Sequence, residues 1–593
     1  MINSRLSTLR KYMSDYGIFA YIIPSSDPHL SEYVPDNWKR REWISGFDGS
    51  AGTVVVTNNE ACLWTDSRYY LQAELQLSGS EFILFRDGES GVPDWLTWLA
   101  EKAPVNCRVG IDSLQFSYSE FANMSEKLSK KGISIASDLN FENALFSELS
   151  ERKAHNDVFA LSANFVGVDY AEKLDSIRKT AKNSNADILI ISALDEIAWL
   201  LNIRGNDVKY NPVVSAYVAV SEQETSLFID IEKIDKCKAI FDNITVRPYD
   251  DFFKFVSSIN DGQTVWLDPN SANTKTVSLF GNNANLMFGR SPITLMKAKK
   301  NNVEIEGVKR AVVRDAAALT RAFMWLEKQI SLGKKVTEFS FSEKLKNCRE
   351  EQDNFFCESF GTIAGFGANG AIVHYKADKA NASDITSGNM LLVDSGGNYF
   401  DGTTDITRTV FIGISNPTEQ QKNDYTAVLK GHIALASAIF PAGTHGSQLD
   451  CLARQFLWNC GLNYGHGTGH GIGHFLCVHE GPQNIRPRDN GIALEQGMLL
   501  SNEPGVYRTG EYGIRLENMV LVTEHGSFDG FLKFETLSLF PFDKKLINFS
   551  QLSAAEKEWL CIYLQNVYNS VAPHISEEEK LWLKNRCDIE LKV

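Results

Sequence analysis

The chain has 593 residues, 43% of them hydrophobic and 22% charged, with a formal net charge of −15. That length exceeds a single core and implies roughly two to four domains. Acidic and basic residues intermix, which excludes a partner that needs a concentrated basic surface, such as a nucleic acid, and no run reaches the ~18 apolar residues of a membrane span.

The first segment, MINSRLSTLRKYMSDYG, reads as an amphipathic helix and not as a signal sequence. Short apolar runs then alternate with helical patterns: AYIIP, a helix in KRREWISGFDG, then GTVVVT and ACLWTD, then a helix from SRYYLQAEL. A second unit repeats the order with a leading helix, ILIIS, LDEIAWLLNIRGN, AYVAVS and TSLFID. In each, an acidic-aromatic helix is expected to end at glycine, and a strand to end at aspartate. The order fits either two copies of one α/β domain or two α/β domains that share a common sequence of elements.

From about Leu295 the texture changes. NNVEIEGVKRAVVRDAAALTRAFMWLEKQI has the periodicity and composition of one long amphipathic helix. Strands are expected at MLLVDSGGNY, TDITRTVFIG, MLLSNEPGVY and IRLENMVLVT. The last ~45 residues read as two helices split by Pro573, with packing or subunit contact as their role. The ten cysteines (Cys62, Cys107, Cys237, Cys348, Cys357, Cys451, Cys460, Cys477, Cys561, Cys587) contain no C-x-x-C pair. They are expected to be buried free thiols in a reducing compartment, the cytosol. Cys477, beside His479, is the one position where a nucleophilic thiol would be considered.

Site chemistry concentrates in this third region. Asp394, Asp401, Asp405, Glu503 and Glu517 lie on or beside apolar strand patterns, where an unpaired carboxylate is costly. Asp401-Gly402 is explained by turn chemistry; Asp394, Asp405, Glu503 and Glu517 together favour a metal cluster over four unrelated ion pairs. Four of the eleven histidines lie in NYGHGTGHGIGHFLCVHEGP. Glycine at alternate positions excludes a stable helix. An extended segment would put His466, His470 and His474 on one face and leave the other bare for a second backbone or a substrate.

The ordered set Asp394, Asp405, His470, Glu503, Glu517 resembles the five-ligand signature of the pita-bread metallopeptidases, which include methionine aminopeptidase, prolidase and aminopeptidase P. HGTGHGIGHFLCVHEGP, SNEPGVY, GIRLENMV, SFGTIAGFGANGAIVHY and DGTTDITRTV look like the aminopeptidase P branch. SDPHLSEYVPDNWKRREWISGFDGSAG and ALDEIAWLLNIRGNDVKYNPV are similar to the two leading domains of its long, cytosolic, three-domain form. The resemblance implies a mixed α/β (α+β) chain: creatinase-like domains over residues 1–155 and 156–295, then a pita-bread catalytic domain over 296–593 with a helical extension from about 546.

It also implies a homodimeric, cytoplasmic Xaa-Pro aminopeptidase acting on peptides with proline at position two through a metal-bridging hydroxide. Two divalent ions are expected, Mn²⁺ foremost, with Zn²⁺ or Co²⁺ compatible. Asp394 would hold one, His470 and Glu503 the other, and Asp405 and Glu517 would bridge them; Glu503 would also move the proton. His374, His466 and His479 would bind the substrate carbonyls and stabilise developing charge, although His466 could instead orient His470. Arg515 would orient carboxylates from behind or form a surface salt bridge, and Arg68 would reach the substrate from the first domain. His474 stands where a small residue is expected and has no assigned role. The leading domains would restrict entry to short or unfolded peptides. The alternatives are a prolidase cleaving only dipeptides, a non-catalytic peptide-binding module, and a metal-free creatinase-type hydrolase.

Overall fold

The computed structural model describes residues 2–137, 139, 141–152, 157–234, 243–260, 262–280 and 284–588. Cys237 and the expected boundary at residues 155 and 156 lie outside them. The chain forms two compact units, one of Met1–Ala163 with Val168–Thr294, the other of Asn164–Gly167 with Leu295–Val593.

The first unit opens with the helix Ile2–Asp15, which buries Leu6, Leu9 and Met13, the one-sided stripe of a core-facing helix. Two six-stranded sheets follow. Numbered along the chain within each sheet, the strands take the same spatial order, 4-3-2-1-5-6, in both. The first sheet runs from Ala20–Pro24 to Ser134–Ala136, the second from Ile188–Ile191 to Asn285–Phe288. Strand directions match pair for pair: 1–2 and 2–3 are antiparallel, while 3–4, 1–5 and 5–6 are parallel. Two α/β domains that merely shared an element order would not reproduce this pairing, so the repeat is structural. One expectation fails in detail. The helix Arg40–Ser45 ends at Gly46, whose φ is 77°, but the helix Leu194–Leu200 is followed at Asn202, φ 52°, by the left-handed turn. Asparagine tolerates that conformation better than most residues.

The second unit is built on the helix Asn302–Ser331, started by an Asn301–Glu304 capping box, in which each side chain satisfies the other's backbone N–H. Three antiparallel strands, Ile363–Phe366, Met390–Ser395 and Ile406–Phe411, form one sheet. A six-stranded sheet contains Gly469–Gly471, Leu499–Asn502 and Asn518–Glu524. The C-terminal helices Ala554–Val571 and Glu577–Cys587 are separated by a short turn containing Pro573. They are no appendage: Leu560, Leu564, Val567 and Leu583 share one buried cluster with Val308 and Val312 of the long helix and with Met519 and Leu521.

The expectation of uniformly buried thiols is corrected. All nine described cysteines are free, but only Cys62, Cys348 and Cys477 are buried, and Cys451 and Cys460 are exposed. No described helix is long and apolar enough to cross a membrane.

Candidate metal centre

The five donor residues are delivered by strand ends. Asp394 lies in Met390–Ser395; Asp405 precedes Ile406–Phe411; His470 is central in Gly469–Gly471; Glu503 follows Leu499–Asn502; Glu517 precedes Asn518–Glu524. Register explains why two of them meet. Asn502 pairs with Asn518, and beyond the break Gly505 pairs with Arg515. One continuous register therefore sets Glu503 opposite Glu517, and the ladder breaks where Pro504 has no N–H to donate. Directly opposed antiparallel residues share a face, so the two carboxylates point the same way.

Donor atoms of Asp405, His470 and Glu517 lie within 4.8 Å of one another. His470 Nε2 is 3.5 Å from Asp405 Oδ2 and 3.7 Å from Glu503 Oε1. His470 Nδ1 is 2.9 Å from Gly471 O; that carbonyl can only accept, so Nδ1 carries a proton, and Nε2 is the nitrogen turned towards the carboxylates. Asp394 joins through Arg515, whose Nη2 donates to Asp394 Oδ2 at 2.5 Å. Arg515 is 1% exposed, which replaces the surface-salt-bridge alternative with a buried one. Its Nε donates to Thr407 Oγ1 (3.2 Å), and Thr407 Oγ1 donates to Glu517 Oε2 (2.7 Å). Arg515 Nη1 donates to Tyr507 Oη (2.8 Å), which lies 2.8 Å from His466 Nε2. Burial pushes the Tyr507 phenol up to about 12, so it keeps its proton and donates it to His466. The other ring nitrogen of His466 lies 2.7 Å from Gly467 O.

The donor set fits a pair of divalent cations. Four carboxylates and one imidazole are a mainly hard donor set, and Asp394 Oδ1 is buried with no hydrogen-bond partner, an acceptor left for a cation. Without a metal the carboxylates resist ionising together. Burial, and then Glu517, Asp394 and Glu503, hold Asp405 well above the usual range. Burial, with Asp394 next, pushes Glu517 up to about 7.

The other expected site residues fall as follows. His479 packs edge-on to His470, ring centroids 4.4 Å apart. His374 is half-buried in a turn; the preceding carbonyl, Val373 O, accepts from Arg515 Nη2 at 3.3 Å. Arg68 belongs to the first unit, where both arms of its guanidinium bind Asp66, at 2.8 and 2.7 Å.

Three readings are corrected. The histidine segment is extended only over Gly469–Gly471, so His466, His470 and His474 do not share a strand face. The bare positions there serve neighbouring backbone: a Cβ on Gly469 would lie 2.0 Å from Ser501 O, and one on Gly471 2.2 Å from Glu480 O. Asp401 is more than a turn residue. It is 1% exposed and pairs with Arg314, with Arg310 at 3.4 Å, both from the long helix. His474, unassigned from sequence, is 1% exposed with Nε2 2.9 Å from Phe165 O in the Asn164–Gly167 segment.

Sequence reasoning missed Thr407, Tyr507 and Glu338. Thr407 was findable, two positions along the strand from Asp405 and so on the same face. Glu338 had no local signal. It is fully buried, and its two oxygens accept from Phe366 N (2.7 Å), Asn369 Nδ2 (2.9 Å), Tyr375 Oη (2.9 Å) and Ser383 N (2.7 Å), bracing the loop that carries His374.

Comparison with known proteins sets the class first. Residues 306–524 match metallopeptidase family M24, and 530–589 match the C-terminal region of that peptidase. Residues 5–140 and 150–304 each match a creatinase/prolidase N-terminal domain. The fold is thus that of a pita-bread metallopeptidase preceded by two creatinase-like domains. Xaa-Pro aminopeptidase 1 of Dictyostelium discoideum is 41% identical, over 99% of this chain and 96% of its own. The Xaa-Pro aminopeptidase ApepP of Drosophila melanogaster is also 41% identical, over 95% and 93%. The crystal structure of an X-prolyl aminopeptidase from Caenorhabditis elegans, described as a cytosolic enzyme with a di-nuclear active site, aligns with a TM-score of 0.94 at 34% identity, covering 99% of each chain. A Bacillus anthracis Xaa-Pro dipeptidase shares the fold at 21% identity and a TM-score of 0.52, covering 63% of this chain. The chain belongs to the Xaa-Pro aminopeptidases of metallopeptidase family M24, a family of metallo-exopeptidases.

Proposed function

We propose that this chain removes the N-terminal residue from peptides whose second residue is proline, at a two-metal site held by Asp394, Asp405, His470, Glu503 and Glu517. The observation that carries the metal assignment is the convergence of Asp405, His470 and Glu517 donors within 4.8 Å, beside a buried, unpartnered Asp394 Oδ1. Asp394 would hold one ion, His470 and Glu503 the other, with Asp405 and Glu517 shared between them. Mn²⁺ suits so oxygen-rich a set. When bound, the two ions supply a water of lowered pKa, a nucleophile at neutral pH.

The chain's own groups then do the following. Glu503, its Oε1 3.5 Å from Ser501 Oγ, takes the proton of the attacking water and delivers it to the prolyl nitrogen as that bond breaks. His374 and His479 hydrogen-bond the scissile carbonyl or the carbonyl after proline, stabilising charge on oxygen. His466 would contact a peptide carbonyl only by exchanging Tyr507; in its present bonds it completes the chain Asp394–Arg515–Tyr507–His466. A prolyl bond offers no N–H and a fixed φ, which favours a dedicated cleft. Arg68 is retained as a substrate contact on resemblance alone.

The runner-up is a prolidase. The Dictyostelium aminopeptidase is 41% identical over 99% of this chain and the dipeptidase 21% identical over 63%, so the aminopeptidase reading is preferred. The test is an Mn²⁺-reconstituted assay of an Xaa-Pro dipeptide beside an Xaa-Pro-Yaa tripeptide, with metal analysis of the same sample. Release of the first residue from the tripeptide is expected; cleavage of the dipeptide alone makes the chain a prolidase. Binding of peptide without cleavage, unaffected by chelation or by Asp394→Ala, makes it a binding module.

Nine free cysteines and the cytosolic description of the nematode enzyme support a cytoplasmic location. A homodimer, and domain limits at residues 155 and 295, follow from resemblance; light scattering and limited proteolysis test them.

A further inference from the structure

The backbone at Glu503 and Glu517 is gripped from behind by a buried polar cluster that joins Arg408, in the DGTTDITRTV segment, to His432 and Tyr563, which lie outside the quoted motifs. Arg408 is 2% exposed and follows Thr407 in the strand Ile406–Phe411, so the two side chains leave opposite faces. Arg408 Nη1 donates to Glu517 O (2.6 Å) and Thr407 O (2.8 Å). Its Nη2, with two N–H groups, lies 2.7 Å from each of Asn518 Oδ1, Phe540 O and Tyr563 Oη, and its Nε donates to Phe540 O (3.1 Å). Among the described residues Arg408 makes no ion pair with a carboxylate. Its charge is solvated by neutral oxygens, with the Phe542 ring centroid 4.3 Å away, and each oxygen removed raises the cost of its burial.

Donor-only Arg408 also fixes its neighbours. It holds the Oδ1 side of Asn518, so the Nδ2 side faces His432 Nε2 at 3.1 Å, and that nitrogen must accept. His432 Nδ1–H then donates to Leu516 O (3.1 Å), and the His432 carbonyl accepts from Asn502 Nδ2 (2.9 Å). The cluster therefore holds Leu516, Glu517 and Asn518 in succession on one strand, and Asn502 beside Glu503 on the other. Its anchor is Tyr563, in the helix Ala554–Val571, whose Oη lies 2.9 Å from Phe540 O and 3.0 Å from Ser538 O.

We infer that Tyr563, Arg408 and His432 are positioning residues for the metal centre, so that the C-terminal helix helps to set the affinity of the site for its ions. This rests on the assignment of Glu503 and Glu517 as ligands. Removing the Tyr563 hydroxyl takes one neutral oxygen from Arg408 and the acceptor 3.3 Å from Phe540 N, which loosens the grip of Arg408 on the Glu517 backbone, and groups that orient metal ligands typically govern affinity by 10–100-fold.

The test is calorimetric titration of metal-free, full-length Tyr563→Phe with Mn²⁺, beside wild type and His470→Ala. The expected result is Mn²⁺ affinity weakened by roughly tenfold, with kcat recovering at saturating Mn²⁺. His432→Gln reaches the same strands from the helix Glu419–Ala436, is expected to give the same shift, and serves if Tyr563→Phe does not fold. Wild-type Mn²⁺ affinity in the folded variant overturns the inference, even if the melting temperature falls. Failure of the ligand assignment would look different: His470→Ala would then bind Mn²⁺ as wild type does.

Discussion

Arg515 Nη2 lies 2.5 Å from Asp394 Oδ2, while Oδ1 of the same carboxylate is buried with no partner. One oxygen is thus held by a fixed cation while the other is presented to the donor cluster. Lysine is a point charge that cannot serve Asp394, Thr407 and Tyr507 together. Arg515→Lys is therefore expected to weaken Mn²⁺ binding by about 10-fold or more and to lower kcat/KM; metal titration and steady-state kinetics check both.

Glu338 braces the loop from Phe366 to Ser383 without touching a proposed ligand. In Glu338→Gln an amide donor replaces one acceptor oxygen and faces an N–H, so His374 loses its fixed position. The expected outcome is a kcat/KM loss of about 10-fold, equivalent to roughly 1.4 kcal/mol, with Mn²⁺ affinity unchanged. In a double-mutant cycle with His374→Ala the two losses should fail to add. Additive losses would show that Glu338 acts elsewhere.

His432 carries a pH signature. Burial, and then Arg408, push its imidazole down to about 3, against ~6.5 in an unfolded chain. Below pH ~6.5 the unfolded chain takes up a proton that the folded chain refuses, so stability is lost as pH falls towards 3. The single-site slope is at most about 1.4 kcal/mol per pH unit. His432→Gln should lose that component, giving a shallower decline in unfolding free energy between pH 6.5 and 4.5 by denaturant titration.

Metal binding should release protons. In the metal-free chain Glu517 is pushed up to about 7, and Asp405 is also raised. Below pH 7 an incoming ion must displace those protons, so apparent Mn²⁺ affinity is expected to fall as pH drops from 7.5 to 6. Calorimetry in buffers of different ionisation enthalpy measures the protons released, and Glu517→Gln should reduce the number.

Much of the site was legible because its donors are locally anomalous. Asp394 follows three apolar residues of a buried strand, and the His470 stretch is too rich in glycine for a helix; burial cost and backbone propensity act residue by residue, so a sequence displays them. The repeat was visible as an order of elements, yet only the matching 4-3-2-1-5-6 pairing distinguished it from coincidence. The long helix from Asn302 and the break at Pro573 could also be read directly, since caps and proline act over a few residues.

Tertiary structure decided what depends on distant partners. Asp401-Gly402 has the chemistry of a turn, and nothing nearby announces that Arg310 and Arg314 will bury that carboxylate. Arg408 reads as a polar residue in a strand until Tyr563, 155 positions away, closes over it. Glu503 and Glu517 face each other because one hairpin register runs through Pro504. The hydrogen-bonding roles of the His466 and His470 ring nitrogens are set by Tyr507, Gly467 O and Gly471 O rather than by their spacing. Sequence determined which groups are available and what each costs to bury. Pairing register and long-range hydrogen bonds, which are sums over contacts that no local period encodes, determined which of them meet.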